Sequence, residues 1–301
     1  MTPSELSASL PVLKEKFARA DPFPHIVIDD FLERSLAEQV LEDFPAPEEM
    51  RTHGGDARVL KGYQISPQDE RYIPKASLDG LFAFLRTREL RKSLSGLCGA
   101  SSEVLCDPEY VGAGLLAARD EGIHHIHLDR NRHPSGFLYP RLILLLYFNK
   151  GWRPEYGGAL ELWDKRIRRS VTVEPLFNRC VLFENTRRAY HGISNVHLPA
   201  GMSRRALNFY YFTPDVPVGE KSTHIHDTEF FPRPGERAEY WRERARQRFP
   251  IGLVLALMRE WEPTAAMCRF LKRVIRGQPE RDLGDRSELM KAWRNYNNRP
   301  N

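Results

Sequence analysis

The sequence predicts an α+β protein with a mainly β core, closed as a sandwich or barrel, and with helices on either side. Two observations carry this reading. Between about Val104 and Pro214, short apolar runs alternate with Gly, Pro and Asn punctuation, the pattern of many short strands. Before and after that block, apolar residues fall at helical spacing instead. At 301 residues the chain can bury a sizeable core, and length alone allows one large domain or two small ones. With 41% hydrophobic and 28% charged residues it is neither a disordered nor a fibrous composition.

In order, the chain opens with a helix, followed by a short strand in "HIVIDDF" (His25–Phe31) and a helix from about Ser35 to Phe44. The apolar face of that helix is Leu36, Val40, Leu41 and Phe44. The polar, glycine-containing stretch Arg51–Pro74 reads as loop and edge strand. "SLDGLFAFLRTRELRKSLSGLCG" then has helical spacing at Leu78, Leu81, Phe82, Leu85, Leu90 and Leu94. The strand-like runs are "YVGAGLLAA", "GIHHIHLD", "RLILLLYFN", "ALELWD", "SVTVEP", "RCVLFE" and "RRALNFYYF". Helical spacing returns in "AEYWRERARQRF", "IGLVLALMREW" and "AAMCRFLKRVIR", with breaks at Pro250 and Pro263. The expected division is 1–103 as supporting helices and strands, 104–235 as the β core, and 236–301 as a basic C-terminal helical extension.

Composition narrows the function. No apolar run approaches the ~20 residues that span a bilayer, and "MTPSELSASLPVLKEKFARAD" lacks the pattern of a secretory signal. Cys98, Cys106, Cys180 and Cys268 are far apart and show no zinc-like pairing, which points to reduced thiols in a cytoplasmic protein. From Glu236 onward there are 15 Lys and Arg against 9 Asp and Glu, so the rest of the chain holds 30 against 31. The basicity belongs to the tail, and no nucleic-acid-reading motif accompanies it. The tail's apolar positions Met267, Phe270, Leu271, Val274 and Ile275 are expected to pack on the barrel or, in a homodimer, on a second copy. Contact with a membrane surface or an acidic partner is the second reading.

The most unusual stretch is "EGIHHIHLDRNRHPSG", residues 121–136. In a strand, residues two apart share a face, so His127 and Asp129 project together. A third ligand would come from elsewhere, and His191 in "RRAYHGISNV" is the candidate, just past the strand "RCVLFE". Two histidines and a carboxylate on one face form the facial triad of non-haem Fe(II) oxygenases. A lone H-x-D carries little weight, because strand histidines are commonly just hydrogen-bonded. Downstream, "GMSRRALNFYYF" adds an arginine opening a strand, suited to the distal carboxylate of a dicarboxylic cosubstrate.

Taken as an ordered series, "HLD", "LILLLYFN", "EYGGALELWD", "FNRCVLFEN", "YHGISNV" and "RRALNFYYF" resemble the Fe(II)/2-oxoglutarate-dependent oxygenases of the prolyl 4-hydroxylase-like branch. The resemblance covers roughly Val104–Pro214, with a weaker echo in "PFPHIVIDDFL". It implies a double-stranded β-helix, a jelly-roll barrel with the metal in its mouth. His127, Asp129 and His191 match the iron ligands. Arg204 matches the arginine that pairs with the 2-oxoglutarate carboxylate, and Tyr147 a tyrosine that donates to the same group. Arg205 is the alternative, one residue out of register and so on the opposite face.

The implied requirements are Fe(II), 2-oxoglutarate and O2, with ascorbate as an auxiliary reductant. The implied reaction is hydroxylation of an unactivated C–H bond in a small molecule or a peptide, prolyl peptides included, with release of succinate and CO2. Related halogenases lack the carboxylate that Asp129 supplies, which favours hydroxylation. Two departures are an inserted loop at "HLPAG", and His124 or His125 in place of the usual aromatic before H-x-D. The alternative function is a cupin-like metal-binding barrel with no oxygen chemistry, which has no use for Arg204.

The remaining histidines rate lower. His125 shares the strand parity of His127 and is expected to border the pocket through a hydrogen bond. His133, in a loop with Arg130 and Arg132, is expected to be solvated or to touch an anionic substrate. His224 and His226 form an H-x-H without an evident third ligand. Trp163 reads as core, or as a substrate wall.

Overall fold

Both faces of the central strands are apolar, and the architecture follows from where each face is buried. The computed structural model describes residues 3–53, 60–217, 226–236, 238 and 286–298. Its strands are β1 (His25–Ile28), β2 (Arg51–His53), β3 (Leu60–Ile65), β4 (Leu105–Cys106), β5 (Gly114–Ala118), β6 (Ile123–Leu128) and β7 (Tyr139–Tyr147). They continue as β8 (Leu160–Trp163), β9 (Ser170–Val173), β10 (Cys180–Glu184), β11 (Tyr190–Ile193), β12 (Arg204–Thr213) and β13 (Glu229–Phe231). The helices are α1 (Pro3–Arg19), α2 (Arg34–Glu42), α3 (Ala76–Arg86), α4 (Arg88–Cys98) and α5 (Arg286–Asn297).

All strand pairings are antiparallel. One sheet runs β1-β10-β7-β12-β5-β3, with β2 on β3 and β4 on β12. The other runs β6-β11-β8-β9, with β13 on the far side of β6. β3 joins them, pairing with β6 at Leu60 and Lys61 and with β5 from Tyr63 to Ile65. The result is the nearly closed jelly-roll barrel expected. Three of its strands, β1, β2 and β3, come from the first 103 residues, so that segment builds the sheets as well as covering them.

Alternation sorts the side chains. Leu142, Leu144 and Leu146 of β7, Cys180 and Leu182 of β10, and Leu207, Phe209 and Tyr211 of β12 face outward. They pack under Phe17, Val40, Leu81, Leu85, Leu94 and other apolar residues of α1–α4. The intervening Ile143, Tyr147, Val181, Phe183 and Ala206 face the barrel interior, opposite Leu160 and Leu162 of β8. The nearly unbroken apolar run "RLILLLYFN" is therefore a strand buried on both sides. The single helical stretch expected at Ser77–Gly99 is two helices, because Thr87 is extended (φ −54°, ψ 141°) and turns the chain.

The expected C-terminal helices at 238–276, with Met267, Phe270, Leu271, Val274 and Ile275, lie outside the described residues apart from Ala238, as do Cys268 and His224. Further on, α5 docks on the barrel. Trp293 is 4% exposed and meets Phe212 and His133 edge to face, at 5.7 and 5.0 Å between ring centroids. Asn297 pairs its side-chain amide with the Cys106 backbone, accepting from the N–H (2.7 Å) and donating to the carbonyl (3.0 Å). The buried Arg91 donates to the Asn297 carbonyl (2.6 Å). We predict that Trp293→Ala lowers the unfolding free energy by about 3–5 kcal/mol, and Asn297→Ala by about 1–3 kcal/mol through the unsatisfied Cys106 groups. Urea denaturation measures both, and changes within ~0.5 kcal/mol would show that α5 adds nothing to stability.

Candidate active site

Neighbouring strands β6 and β11 place His127 and His191 directly opposite each other. Their ring centroids are 4.1 Å apart. Asp129 follows one residue beyond the end of β6 and turns its carboxylate between them. Its Oδ1 lies 3.6 Å from His127 Nε2 and its Oδ2 3.7 Å from His191 Nε2. One donor atom from each of the three residues falls within 4.8 Å of the others, and all three residues are buried. The His127 Nδ1 donates to the His125 carbonyl and the His191 Nδ1 to the Ala189 carbonyl, each at 2.9 Å. Those two bonds assign the protons to Nδ1 and direct both Nε2 lone pairs toward Asp129, as a metal-ligating imidazole requires.

Strand parity fails next to this cluster. His191 pairs with His127 but Ile193 pairs with His124, so β6 carries an extra residue in a bulge. The bulge brings His124 onto the site face, stacked on His127 at 4.0 Å, and turns His125 to the outer face. There the His125 Nδ1 lies 3.3 Å from Arg233 Nη1 and 3.7 Å from Glu236 Oε2. The expectation that His125 borders the pocket is thus corrected. Gly192 permits the bulge, since a Cβ there would come within 2.9 Å of the His124 carbonyl oxygen. Phe230 of β13 joins the site face, 5.6 Å from the His127 ring centroid.

Deeper in the barrel, Arg204 and Tyr147 meet on the interior face. The Arg204 guanidinium sits over the Tyr147 ring, 5.1 Å from its centroid, and its Nε donates to the Gly158 carbonyl (2.7 Å). Its Nη2 and the Tyr147 hydroxyl are both buried without a hydrogen-bond partner. Among the described residues no carboxylate pairs with Arg204, although it is only 3% exposed. Burial pushes the Tyr147 phenol up to about 12, and the Arg204 charge opposes the shift. Burial also lowers Arg204 from its ordinary value. Arg205 points the other way, over the Phe44 ring in the helical layer.

Tyr210, on the same face of β12 as Arg204, donates from its hydroxyl to Asp129 Oδ2 (2.9 Å). Burial first, and then the Asp129 charge, hold this phenol well above its ordinary value, so it remains a donor. Sequence reasoning missed Tyr210, although its even spacing from Arg204 gives its inward direction.

His133 and His226 have structural partners. His133 is buried rather than solvated. Its Nε2 lies 3.1 Å from Asp107 Oδ2 and its Nδ1 2.8 Å from the Ser135 hydroxyl. Asn131 Oδ1 accepts from the His226 backbone N–H (3.0 Å), which ties His226 to the loop after Asp129. Trp163 lies on the outer face of its sheet, clustered with Ile126, Leu128, Tyr190 and Phe231, and is core rather than substrate wall.

Residues 114–212, from the start of β5 almost to the end of β12, match the 2OG-Fe(II) oxygenase superfamily. The match places a 2OG-Fe(II) oxygenase-like domain at these residues. No curated protein matches the chain in sequence. Among solved structures it is similar to a prolyl 4-hydroxylase from Pseudomonas putida, with a TM-score of 0.50 and 18% identity over 67% of this chain and 97% of that one. It is also similar to a prolyl 4-hydroxylase structure from Phytophthora capsici, with a TM-score of 0.51 and 19% identity over 98% of this chain and 88% of that one. At such identities the likeness is one of fold.

An oxygenase of this superfamily requires Fe(II), 2-oxoglutarate and O2, and the residues present fit those groups. Two imidazoles and a carboxylate form a donor set suited to Fe(II). The orphaned Arg204 Nη2 and Tyr147 hydroxyl present two donors to one carboxylate.

Gly158 makes the Arg204 position possible. A Cβ there would lie 2.9 Å from Arg204 Cδ and 3.1 Å from Trp152 Cζ2, and φ is +67°. Gly158→Ala is therefore expected to destabilise the fold by about 1–3 kcal/mol, measured from the denaturant midpoint. An unchanged midpoint would contradict this packing.

Proposed function

We propose that His127, Asp129 and His191 hold Fe(II), and that Arg204 and Tyr147 hold the distal carboxylate of 2-oxoglutarate. The reaction assigned is hydroxylation of an unactivated C–H bond in a peptidyl or small-molecule substrate. When bound, the metal and cosubstrate supply the oxidising chemistry, with succinate and CO2 as co-products.

The protein's part is binding and orientation. The three side chains would hold the metal from one side and leave its other side for cosubstrate and O2. Ile143, Val181, Phe183 and Leu162 wall the interior with apolar surface that excludes water and strengthens the charge pair at Arg204. Arg204 carries the argument. An unpaired guanidinium buried in a barrel costs several kcal/mol unless an anion meets it, and a barrel that only binds metal has no need of one.

Because solved prolyl 4-hydroxylases share the fold, a prolyl peptide is the first substrate to test, followed by free amino acids and other small metabolites. Fold alone does not select among them. A reducing compartment such as the cytoplasm fits the thiols. Cys98, Cys106 and Cys180 are buried and outside disulfides, and burial pushes Cys106 up to about 12.

Fe(II)-dependent formation of succinate from 2-oxoglutarate is the direct test. Alanine at His127, Asp129 or His191 should abolish it while the protein stays folded, and near-full activity in any of the three would refute the ligand set. Arg204→Ala should raise the 2-oxoglutarate requirement roughly ten- to a hundredfold, the worth of a charge-assisted pair at about 1.5–3 kcal/mol. Arg205→Ala should leave that requirement near the native value, because Arg205 lies in the helical layer. The reverse pattern would contradict the assignment.

A further inference from the structure

We infer that Tyr210 is a positioning residue for the metal, and that its hydroxyl keeps Asp129 bound through a single oxygen. The inference rests on the reading of Asp129 as a metal ligand.

A phenol has one proton, and Tyr210 commits it to Asp129 Oδ2 at 2.9 Å. Its oxygen can then only accept, and Asn208 Nδ2 donates to it at 3.3 Å. The same amide nitrogen donates to the Gly112 carbonyl, also at 3.3 Å. Turning the Asn208 amide over would set its oxygen against the Gly112 carbonyl oxygen, acceptor against acceptor. The backbone at Gly112 therefore fixes the direction of the whole chain, from Asn208 to Tyr210 to Asp129.

The ring is held as firmly as the hydroxyl. A Cβ at residue 112, where φ is +78°, would come within 3.2 Å of Tyr210 Cε2. On β12, Tyr210 is paired with Ile143 of β7, so its backbone cannot shift without breaking the sheet. Asp129 comes from the opposite sheet, just past β6. The 2.9 Å bond is thus a strut across the barrel mouth that sets the angle of the carboxylate.

Rotation matters to the chemistry. A carboxylate that chelates with both oxygens takes two metal positions, and the third position needed by a two-point cosubstrate and O2 is then lost. With Oδ2 occupied by the phenol, only Oδ1 is offered fully to the metal.

The test uses the full-length protein and Mn(II), titrated by electron paramagnetic resonance without cosubstrate. Tyr210→Phe keeps the ring and removes the strut. It should weaken Mn(II) binding about tenfold or more, the usual effect of losing a group that orients a ligand, with the metal-free melting temperature unchanged. Asn208→Ala should weaken binding less, in the same direction. The double variant should bind no worse than Tyr210→Phe, because Asn208 acts only through the phenol. A merely structural role predicts additive losses and a lower melting temperature, and either result would overturn the inference. So would a Tyr210→Phe affinity within about twofold of native while Asp129→Ala abolishes binding. If Asp129→Ala also binds normally, the metal assignment itself falls and this inference with it. Should Tyr210→Phe fail to fold, Asn208→Ala alone decides, and an unaltered affinity there counts against the strut.

Discussion

The register of β12 is the constraint on which the rest depends. As far as the bulge after Tyr211, its even-numbered residues, Arg204, Ala206, Asn208 and Tyr210, face the barrel interior, and its odd-numbered ones face the helices. A slip of one residue would bring Leu207, Phe209 and Tyr211 out of the helix-covered core, at about 1.5–3 kcal/mol each. It would also bury the Arg204 guanidinium among leucines, which costs several kcal/mol more. β12 is pinned further by pairing with β7 on one side and β5 on the other. One strand therefore fixes both ends of the site, the cation deep in the barrel and the phenol at the metal position.

The second sheet supplies the other half through a different device. β6 and β11 set two imidazoles face to face, and carbonyls two residues back hold each ring in its tautomer. Arg233 secures this pair from outside. It donates to the Ile193 carbonyl (2.7 Å) and pairs with Glu161 (3.0 Å), tying β11, β8 and the segment after β13 together. Phe183 of β10 reaches across from the first sheet to within 4.8 Å of the His191 ring centroid, so the two sheets meet at the ligands.

What was legible in the sequence is what strand alternation governs. His127 with Asp129, Arg204 against Arg205, and the doubly buried "RLILLLYFN" all follow from a period of two. What was not legible depends on a partner strand or a distant segment. The bulge that exchanges His124 for His125 belongs to the β6–β11 pair and to Gly192, not to β6 alone. His133 looked solvated because its loop is basic, yet Asp107 and the α5 residue Trp293 enclose it. α5 itself shows only Leu289, Met290, Trp293 and Tyr296 as large apolar residues in a polar stretch, too thin a stripe to stand out. Tyr210 could be placed inward by parity, but its partner Asp129 lies on the other sheet, about 80 residues away in the chain.

The central claim is that one barrel interior joins a three-ligand metal position to a buried guanidinium built for a carboxylate. A crystal structure of the protein grown without oxygen, with Mn(II) and 2-oxoglutarate, tests it most directly. The account predicts the metal on His127 Nε2, one Asp129 oxygen and His191 Nε2, and the distal carboxylate on Arg204 Nη2 and the Tyr147 hydroxyl. A metal bound elsewhere, or a cosubstrate whose carboxylate leaves Arg204 unpaired, would contradict it.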